Sequence, residues 1–414
     1  MKQTKIPLSV KQLIELDGCA RCELCREFCS LYALLNENPH PLKFPTSTVA
    51  VIKQFRSILR DQFGLKAKLL RSKPKIKEKL WMLADALFLY CTTCGRCKVV
   101  CPLGIDTWSL LNSVREYFMN NFTSQYPTHC VIDFISNTIN TTIQNSGNIF
   151  NVSNASRHDW ALYTGADIQV KDNAKVVYFV GCVSSYQGRA QDIAHAITAI
   201  LNSVGEDWTL LKDEWCCGHP LTISGAGNKA KSIAEHNLRM IRDVGAKMVI
   251  TGCPGCYLAL KHEYPKILGK PVEFEVLHFT ELLNIYLNEG KLKPIKLDGK
   301  VTYHDPCELG RLGGVLNEPR RIINTFTNGL LEPYGSGMDG ICCGSGGLIK
   351  ATNPSLADLL AIKRLDMLME TKSKLILSAC PTCVQSLSKV AMDKNKELRV
   401  IDLAELVAQQ LGLI

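Results

Sequence analysis

The chain has 414 residues, 46% of them hydrophobic and 21% charged, which suits about two or three packed domains and excludes a disordered chain. The longest apolar run, Trp81 to Tyr90, contains Asp85 and is about half the roughly 20 residues that span a bilayer. We therefore expect no membrane helix, and the N-terminus has no signal-peptide pattern. The formal net charge is +9, but metal-bound cysteines are thiolates, so we expect no nucleic-acid partner.

Cysteine is the unusual residue, with 19 in the chain. A secreted disulfide scaffold is short and spaces its cysteines to suit its loops. Here eighteen cysteines fall into four sets with short gaps, which favours metal sites in a reducing, cytoplasmic environment. The remaining one, Cys130, is expected to be a small buried side chain.

Residues 1–120 carry two cysteine runs among helical patterns, and we interpret them as a helical ferredoxin-like domain. Both runs have the spacing C-x2-C-x2-C-x3-C of bacterial ferredoxins, and they are Cys19, Cys22, Cys25 and Cys29, then Cys91, Cys94, Cys97 and Cys101. In two-cluster ferredoxins the fourth cysteine ligates the other cluster, so we predict that Cys101 joins the first three and Cys29 joins the second three. The alternative is zinc, which usually takes two C-x2-C pairs.

Residues 121–172 carry no motif, and the asparagine-rich stretch from Ser136 to Ser156 predicts a linker or irregular wrap. Residues 173–414 then contain an internal duplication, which divides them into 173–290 and 291–414. The matching segments are 175–182 with 300–307, 213–218 with 339–344, and 246–256 with 373–383. A near-constant offset over three segments indicates two copies of one unit.

Each copy has an α/β pattern. The β-branched run Val176 to Val180 comes shortly before Cys182, and a later apolar strand, Met248 to Ile250, leads to Cys253. Two helical stretches lie between these strands and stop at Gly205 and at Gly245. Because the carboxyl ends of parallel strands share one edge of a sheet, cysteines far apart in the sequence are expected to converge there.

The two copies hold five cysteines each, which are Cys182, Cys216, Cys217, Cys253 and Cys256, then Cys307, Cys342, Cys343, Cys380 and Cys383. Five ligands with an adjacent pair suit neither tetrahedral zinc nor a cubane. The alternative is a vicinal disulfide at each adjacent pair. Gly218 and Gly344 follow these pairs, and we expect them to let the backbone approach a bulky cofactor.

Two histidines lie close to these sets in the sequence. His304 precedes Cys307 by three residues, and His219 follows Cys217 by two. Each is a candidate catalytic residue that hydrogen-bonds a cluster sulfur or supplies a proton, and the alternative is an ordinary core or surface role. The chain has no phosphate loop, catalytic triad or flavin motif, so it needs a redox partner.

The pattern C-x(n)-CCG-x(n)-C-x2-C, present twice after two ferredoxin runs, resembles the CCG or cysteine-rich domain family. The chain is similar to the D subunit of membrane-bound heterodisulfide reductase and to the K subunit of the Dsr membrane complex. The resemblance rests on the segments 15–19, 90–94, 213–218 and 303–307. It implies a helical two-cluster ferredoxin domain followed by two duplicated α/β CCG lobes with pseudo-twofold symmetry.

The resemblance also implies the cofactors and the chemistry. Two cubane [4Fe-4S] clusters would feed two non-cubane [4Fe-4S] clusters, one on each five-cysteine set, which cleave or form a disulfide or trisulfide between them. The substrate would be small or bound to a carrier protein.

Electrons would come from a membrane-anchored cytochrome b or a quinone-interacting subunit, which would hold the chain peripherally at the cytoplasmic membrane. The rival interpretation is an electron-transfer subunit beside a flavoprotein, as in the glycolate, lactate and glycerol-3-phosphate dehydrogenases.

Overall fold

A computed structural model describes residues 8–37, 48–63, 83–121, 131–132, 134–394 and 397–414. Cys130, which the sequence predicts to be buried, lies outside the described residues. The chain folds into two compact units. The first comprises Met1–Thr138, Ile223–Ala226 and Gly344–Leu360, and the second comprises Ile139–Thr222, Gly227–Cys343 and Ala361–Ile414.

The α-helices before the first strand, in chain order, are α1 Val10–Gly18, α2 Leu24–Glu27, α3 Ser30–Glu37, α4 Thr48–Phe63, α5 Arg96–Val99, α6 Thr107–Asn121, α7 Asn140–Ser146 and α8 Trp160–Thr164. Ala86–Tyr90 and Phe134–Ile139 are π-helical, and Asn154–His158 is a 3-10 helix. The first unit is built on α1 to α6. Its core includes Phe55 and Phe118, both fully buried, with Phe55 in edge-to-face contact with Tyr117.

The segment predicted as a linker contains regular structure where the structure describes it. It holds α7 and α8 together with the π-helix Phe134–Ile139 and the 3-10 helix Asn154–His158. Asparagine is a poor helix former, which is why the sequence suggests an irregular chain. Burial of Ile143 and Trp160 anchors these short helices, so tertiary packing overrides the local preference.

The two lobes of the second unit contain parallel sheets of identical topology. The strands are β1 Val176–Tyr178, β2 Trp208–Thr209, β3 Met248–Thr251 and β4 Glu275–His278, then β5 Val301–Tyr303, β6 Leu330–Leu331, β7 Leu375–Ser378 and β8 Arg399–Asp402. Their orders are β2-β1-β3-β4 and β6-β5-β7-β8, with every pairing parallel. The predicted duplicated α/β lobes are therefore confirmed.

The helices that follow β1 are, in chain order, α9 Cys182–Tyr186, α10 Gly188–Ser203, α11 His219–Ile223, α12 Lys231–Val244, α13 Pro254–Leu258, α14 Tyr264–Leu268, α15 Phe279–Asn288, α16 Asn317–Phe326, α17 Ile349–Thr352, α18 Pro354–Met369, α19 Pro381–Lys394 and α20 Leu403–Gln410. Two further π-helices, Ala259–Glu263 and Glu308–Leu312, lie near the cysteines, and Gly227–Ala230 and Gly337–Asp339 are 3-10 helices. Helix α10 has an apolar face on which Ile193, Ile197 and Ile200 are fully buried.

The lobes contact each other reciprocally. Helix α10 of the first lobe packs on α20 of the second, and α16, the counterpart of α10, packs on α15, the counterpart of α20. Helix α13 of the first lobe contacts the π-helix Glu308–Leu312 of the second. Their counterparts, α19 of the second lobe and α9 of the first, also contact each other. Such an exchange of equivalent elements is what a two-fold-related pair requires, and one apolar core runs through both lobes. Within the residues described, no helix is long and apolar enough to cross a membrane.

Candidate metal centres

The first candidate centre gathers cysteines from both ferredoxin runs. Cys19, Cys22, Cys25 and Cys101 line one cavity. Burial raises the pKa of the Cys25 thiol to about 12, and the three neighbouring thiols add to the rise. Cys19 ends α1, and the left-handed backbone at Glu23 turns the chain so that α2 carries Cys25 inward.

The second candidate centre has the complementary composition. Cys29 lines a cavity with Cys91, Cys94 and Cys97, and burial, with Cys94 and Cys91 nearby, raises the pKa of Cys29 to about 12. Gly95 directly precedes α5 and has a left-handed backbone conformation, as Glu23 does before α2. The sulfurs are thus grouped as crossed ligation requires, and ligation itself stays a prediction.

A buried arginine holds the backbone beside this second centre. Arg115 is fully buried and donates hydrogen bonds to the carbonyl oxygens of Leu87 at 2.5 Å and of Cys91 at 2.7 Å. It also donates to the carbonyl of Ile223 at 2.6 Å. Arg115 was not predicted from the sequence, where its only signal is a lone basic residue on the apolar face of α6.

The third candidate centre collects the five cysteines of the first lobe. Cys182 begins α9 just after β1, Cys216 and Cys217 follow β2, and Cys253 and Cys256 follow β3. Their thiols are close enough to shift one another's pKa, with Cys182 and Cys216, and Cys217 and Cys256, among the interacting pairs. Interactions with Cys216 and Cys256 lower the pKa of Cys217 to about 7, which favours a thiolate at this position.

The fourth candidate centre lies in the second lobe. Cys343 Sγ and Cys383 Sγ are 3.4 Å apart, and the backbone N–H of Cys383 donates to Cys380 Sγ at 3.5 Å. Cys342 adjoins Cys343, and Cys307 immediately precedes the π-helix that follows β5. None of the eighteen cysteines that the structure describes forms a disulfide, so neither adjacent pair is joined by the alternative vicinal disulfide.

An ion pair supports the third centre. Arg157 Nη1 donates to Glu214 Oε1 at 2.8 Å, and Arg157 Nη2 lies 3.8 Å from Cys182 Sγ. The Glu214 carboxylate also accepts from the backbone N–H groups of Val180 and Gly181 at 2.8 and 2.9 Å. The pair therefore fixes the loop that carries Cys182 and places a positive charge beside its sulfur. At the equivalent position the second lobe has Gly340 in place of Glu214. The sequence alone did not indicate that this difference affects the site.

The candidate His219 joins the two lobes. Its Nδ1 is 2.8 Å from Glu263 Oε1, and its Nε2 is 3.2 Å from Glu308 Oε1, which follows Cys307 in the second lobe. Burial alone would lower the pKa of His219, but the two carboxylates raise it well above its usual value. The candidate His304 is also fully buried, and one of its ring nitrogens lies within 4.8 Å of the sulfurs of Cys343 and Cys383.

The two glycines predicted to approach a cofactor have close protein neighbours. Gly218 has φ +83°, and an added Cβ would lie 3.1 Å from the Cβ of Ala230. Gly344 has φ +89°, and its Cβ would lie 2.6 Å from that of Leu360. Left-handed backbone and tight helix packing both require glycine here, and an approach to a cofactor stays a prediction.

Comparison with known proteins bears directly on these centres. The model of the cysteine-rich domain matches residues 176–261 and 301–388, and that of the 4Fe-4S dicluster domain matches residues 15–105. The chain is 33% identical over 416 residues to the D subunit of the dihydromethanophenazine:CoB–CoM heterodisulfide reductase of Methanosarcina acetivorans, covering 98% of this chain and 96% of that protein. The chain belongs to the family of the heterodisulfide reductase D subunit. It is an iron–sulfur oxidoreductase of that type.

The chain is also similar to proteins outside the heterodisulfide reductases. The chain is 28% identical to the EtfAB:quinone oxidoreductase of Syntrophomonas wolfei, covering 96% of this chain and 58% of that protein. The crystal structure of a hypothetical protein from Helicobacter pylori matches with a TM-score of 0.59 at 10% identity, covering 98% of this chain and 73% of that one. At that identity the likeness concerns the fold alone.

The residues present fit the iron–sulfur clusters expected of this family. The donors are cysteine sulfurs outside any disulfide, grouped by four around two cavities in the first unit. In the second unit, sulfurs from separate strand ends lie within hydrogen-bonding reach of one another. A Cβ at Gly181 would lie 2.9 Å from Cys256 Sγ, so that glycine leaves space for the sulfur. Thiolate-rich sites suit iron–sulfur clusters.

Proposed function

We propose that the chain is the catalytic iron–sulfur subunit of a heterodisulfide-reductase-type complex, which reduces, or in reverse forms, a sulfur–sulfur bond. The observation that carries the proposal is the reciprocal contact between the cysteine-bearing loops of the two lobes. Helix α13, which carries Cys256, contacts the π-helix that follows Cys307, while α9, which carries Cys182, contacts α19, which carries Cys383. Elements that carry or adjoin cysteines of both five-cysteine sets therefore lie at the contact between the lobes.

The overall reaction is balanced by two electrons and two protons, which convert one disulfide into two thiols. When bound, two cubane and two non-cubane [4Fe-4S] clusters would supply one-electron carriers and irons with an affinity for sulfur. The chain's cysteines would hold these groups, with Gly218 and Gly344 shaping the turns after each adjacent pair. His219 and His304 remain the candidate catalytic histidines, since each is buried beside a five-cysteine set.

The proposed electron donor is a membrane-anchored cytochrome b or a quinone-interacting subunit, which would hold the chain at the cytoplasmic face of the membrane. Support comes from the names of the relatives, of which one is part of a dihydromethanophenazine-linked reductase and another is a quinone oxidoreductase. The substrate class that we propose is a small heterodisulfide or a trisulfide on a carrier protein.

The test compares two matched variants, Cys217→Ala and Cys343→Ala, with the variant that combines them. We expect either single change to abolish disulfide reduction from an artificial electron donor as fully as the double change, because both sets act on one substrate. Cys130→Ala, at the cysteine outside the four sets, is the control. Spectroscopy of the cubanes must be unchanged in every variant. Near-normal turnover of the Cys217 variant would contradict the two-set mechanism.

The second candidate is an electron-transfer subunit for a flavoprotein, such as a glycolate, lactate or glycerol-3-phosphate dehydrogenase. The likeness to the EtfAB:quinone oxidoreductase favours it. A conduit needs only one path to its acceptor, so one five-cysteine set would be dispensable. The same variants therefore separate the two functions, with electron transfer from a reduced flavoprotein as the second assay.

A further inference from the structure

The two lobes differ at the residue that follows the first strand. In the aligned segments 175–182 and 300–307, Phe179 of the first lobe corresponds to His304 of the second. Both side chains are fully buried. The first lobe instead has Arg157 beside Cys182, so each site has its own polar neighbour.

His304 is held in one orientation by its backbone and by its ring. Its N–H donates to the carbonyl of Leu377 at 2.8 Å, and its carbonyl accepts from Ser378 Oγ at 3.1 Å. On the ring, Nδ1 accepts a hydrogen bond from Arg364 Nε at 3.2 Å. Arg364 is itself fully buried and donates through Nη1 to the carbonyl of Tyr334 at 2.8 Å.

The contact with Arg364 determines which ring nitrogen carries the proton. A guanidinium has only donors and does not lose its proton in proteins, so Nδ1 of His304 must be the acceptor. The ring proton of neutral His304 therefore lies on Nε2. That nitrogen is buried and has no hydrogen-bond partner among the described protein atoms. Leaving a buried N–H without an acceptor is costly, so Nε2 requires an acceptor.

Two cysteine sulfurs are close to the ring. A ring nitrogen of His304 lies within 4.8 Å of Cys343 Sγ and Cys383 Sγ, and Nδ1 is already hydrogen-bonded to Arg364. Direct ligation of iron by Nε2 would require the ring to lose its last proton. Metal-bound histidines normally donate from their second nitrogen, whereas here that nitrogen faces a donor. The arrangement favours an N–H···S hydrogen bond over a metal–nitrogen bond.

We propose that His304 Nε2 donates a hydrogen bond to a sulfur of the second five-cysteine site and thereby raises the reduction potential of the cluster held there. A donor at the sulfur stabilises the reduced state, which carries more negative charge, and hydrogen bonds to sulfur are one determinant of cluster potentials. The inference rests on the proposed function only in assigning a cluster to this set. His304 thus distinguishes the second site from the first, where the corresponding Phe179 has no donor.

The test is a redox titration of the holoprotein, monitored by EPR, in two variants. His304→Phe copies the residue of the first lobe and should lower the potential of the second site. His304→Gln, whose amide nitrogen reaches a similar position, should restore most of the difference. Phe179→Leu is the matched control in the first lobe and should leave the second-site potential unchanged. Assignment of the signal uses the Cys217→Ala background, in which only the second set is complete.

An unchanged potential in a His304→Phe protein that keeps its iron would overturn the inference and leave the proposed function intact. An absence of iron at the second set of the native protein would defeat both. If His304→Phe does not assemble, native protein labelled with nitrogen-15 histidine decides by pulsed EPR. A weak coupling from one ring nitrogen supports the hydrogen bond, whereas a strong coupling, as from a ligand, or no coupling overturns it.

Discussion

Buried polar side chains near the cysteine sites are held by specific partners. Arg157 pairs with Glu214, and Arg364 donates to His304. His278, which caps α15, accepts the backbone N–H of Thr280 through its Nδ1. A buried polar or charged group without a partner is costly, and each of these side chains is hydrogen-bonded. A buried histidine that stays neutral in the folded protein makes the free energy of unfolding depend on pH.

We predict that His278 and His304 each make a contribution to stability that falls as the pH is lowered below about 6.5. Burial lowers the pKa of His278 to about 3, and burial with the Arg364 charge does the same for His304. Between about pH 3 and 6.5 these histidines bind protons in the unfolded chain but stay neutral in the folded chain. This difference destabilises the fold by up to about 1.4 kcal/mol per pH unit for each histidine.

The measurement compares the native protein with His278→Asn by hydrogen exchange of the slowest amides at pH 7.5 and 5.5. Asparagine is a good N-cap, so the variant should keep its stability at pH 7.5 and lose less at pH 5.5. Equal losses in the two proteins would contradict the prediction, since any acid sensitivity of the clusters is common to both.

At the scale of elements, a short segment after the second adjacent cysteine pair completes the first unit. Gly346 and Gly347 lie against the backbone of Thr92 and Cys91, and a Cβ at Gly347 would be 2.4 Å from the carbonyl oxygen of Cys91. Gly347 also has φ +61°. The second candidate centre therefore depends on a segment about 250 residues away in the sequence, which no local pattern reveals.

Gly347→Ala should disturb this centre through both the backbone strain and the clash. We expect a loss of iron and a fall in Tm of several degrees. Gly269→Ala is the matched control, because Gly269 has φ +69° but open space around its Cβ position. It should cost only about 1 kcal/mol. Similar Tm and iron content in the two variants would show that the close approach is unimportant.

The crossing of the ferredoxin runs predicts which cysteine changes are additive. Cys101 and Cys22 line one cavity, and Cys94 lines the other. Cys101→Ala should remove the same cluster as Cys22→Ala, so the double variant should lose no more than roughly four irons. Combining Cys101→Ala with Cys94→Ala should lose about twice as many. Iron analysis after anaerobic purification measures both, and the reverse pattern would contradict crossed ligation.

At the scale of the whole molecule, four sets of thiols predict the metal content. We expect about sixteen irons per chain, four for each of four clusters, and little zinc. Quantitative iron, sulfide and zinc analysis of anaerobically purified protein tests this. Stoichiometric zinc with little iron would reject the iron–sulfur interpretation of the sets, because structural zinc binds four thiolates without sulfide.

The sequence alone determined the features that depend on chemical identity and spacing. The two ferredoxin runs, the two five-cysteine sets and the duplication could be read directly, and the strands before Cys182 and Cys253 were located to within about two residues. These features are visible because thiolate ligands and buried parallel strands have local signatures.

Only the tertiary structure decided which distant groups meet. The helices of residues 134–164, the Arg157–Glu214 pair beside Cys182 and the His219 contact with both lobes have no local pattern. The proton on Nε2 of His304 likewise follows from Arg364, 60 residues away. A side chain's partners, burial and protonation are set by the packing of remote segments, which the spacing of residues along one chain does not encode.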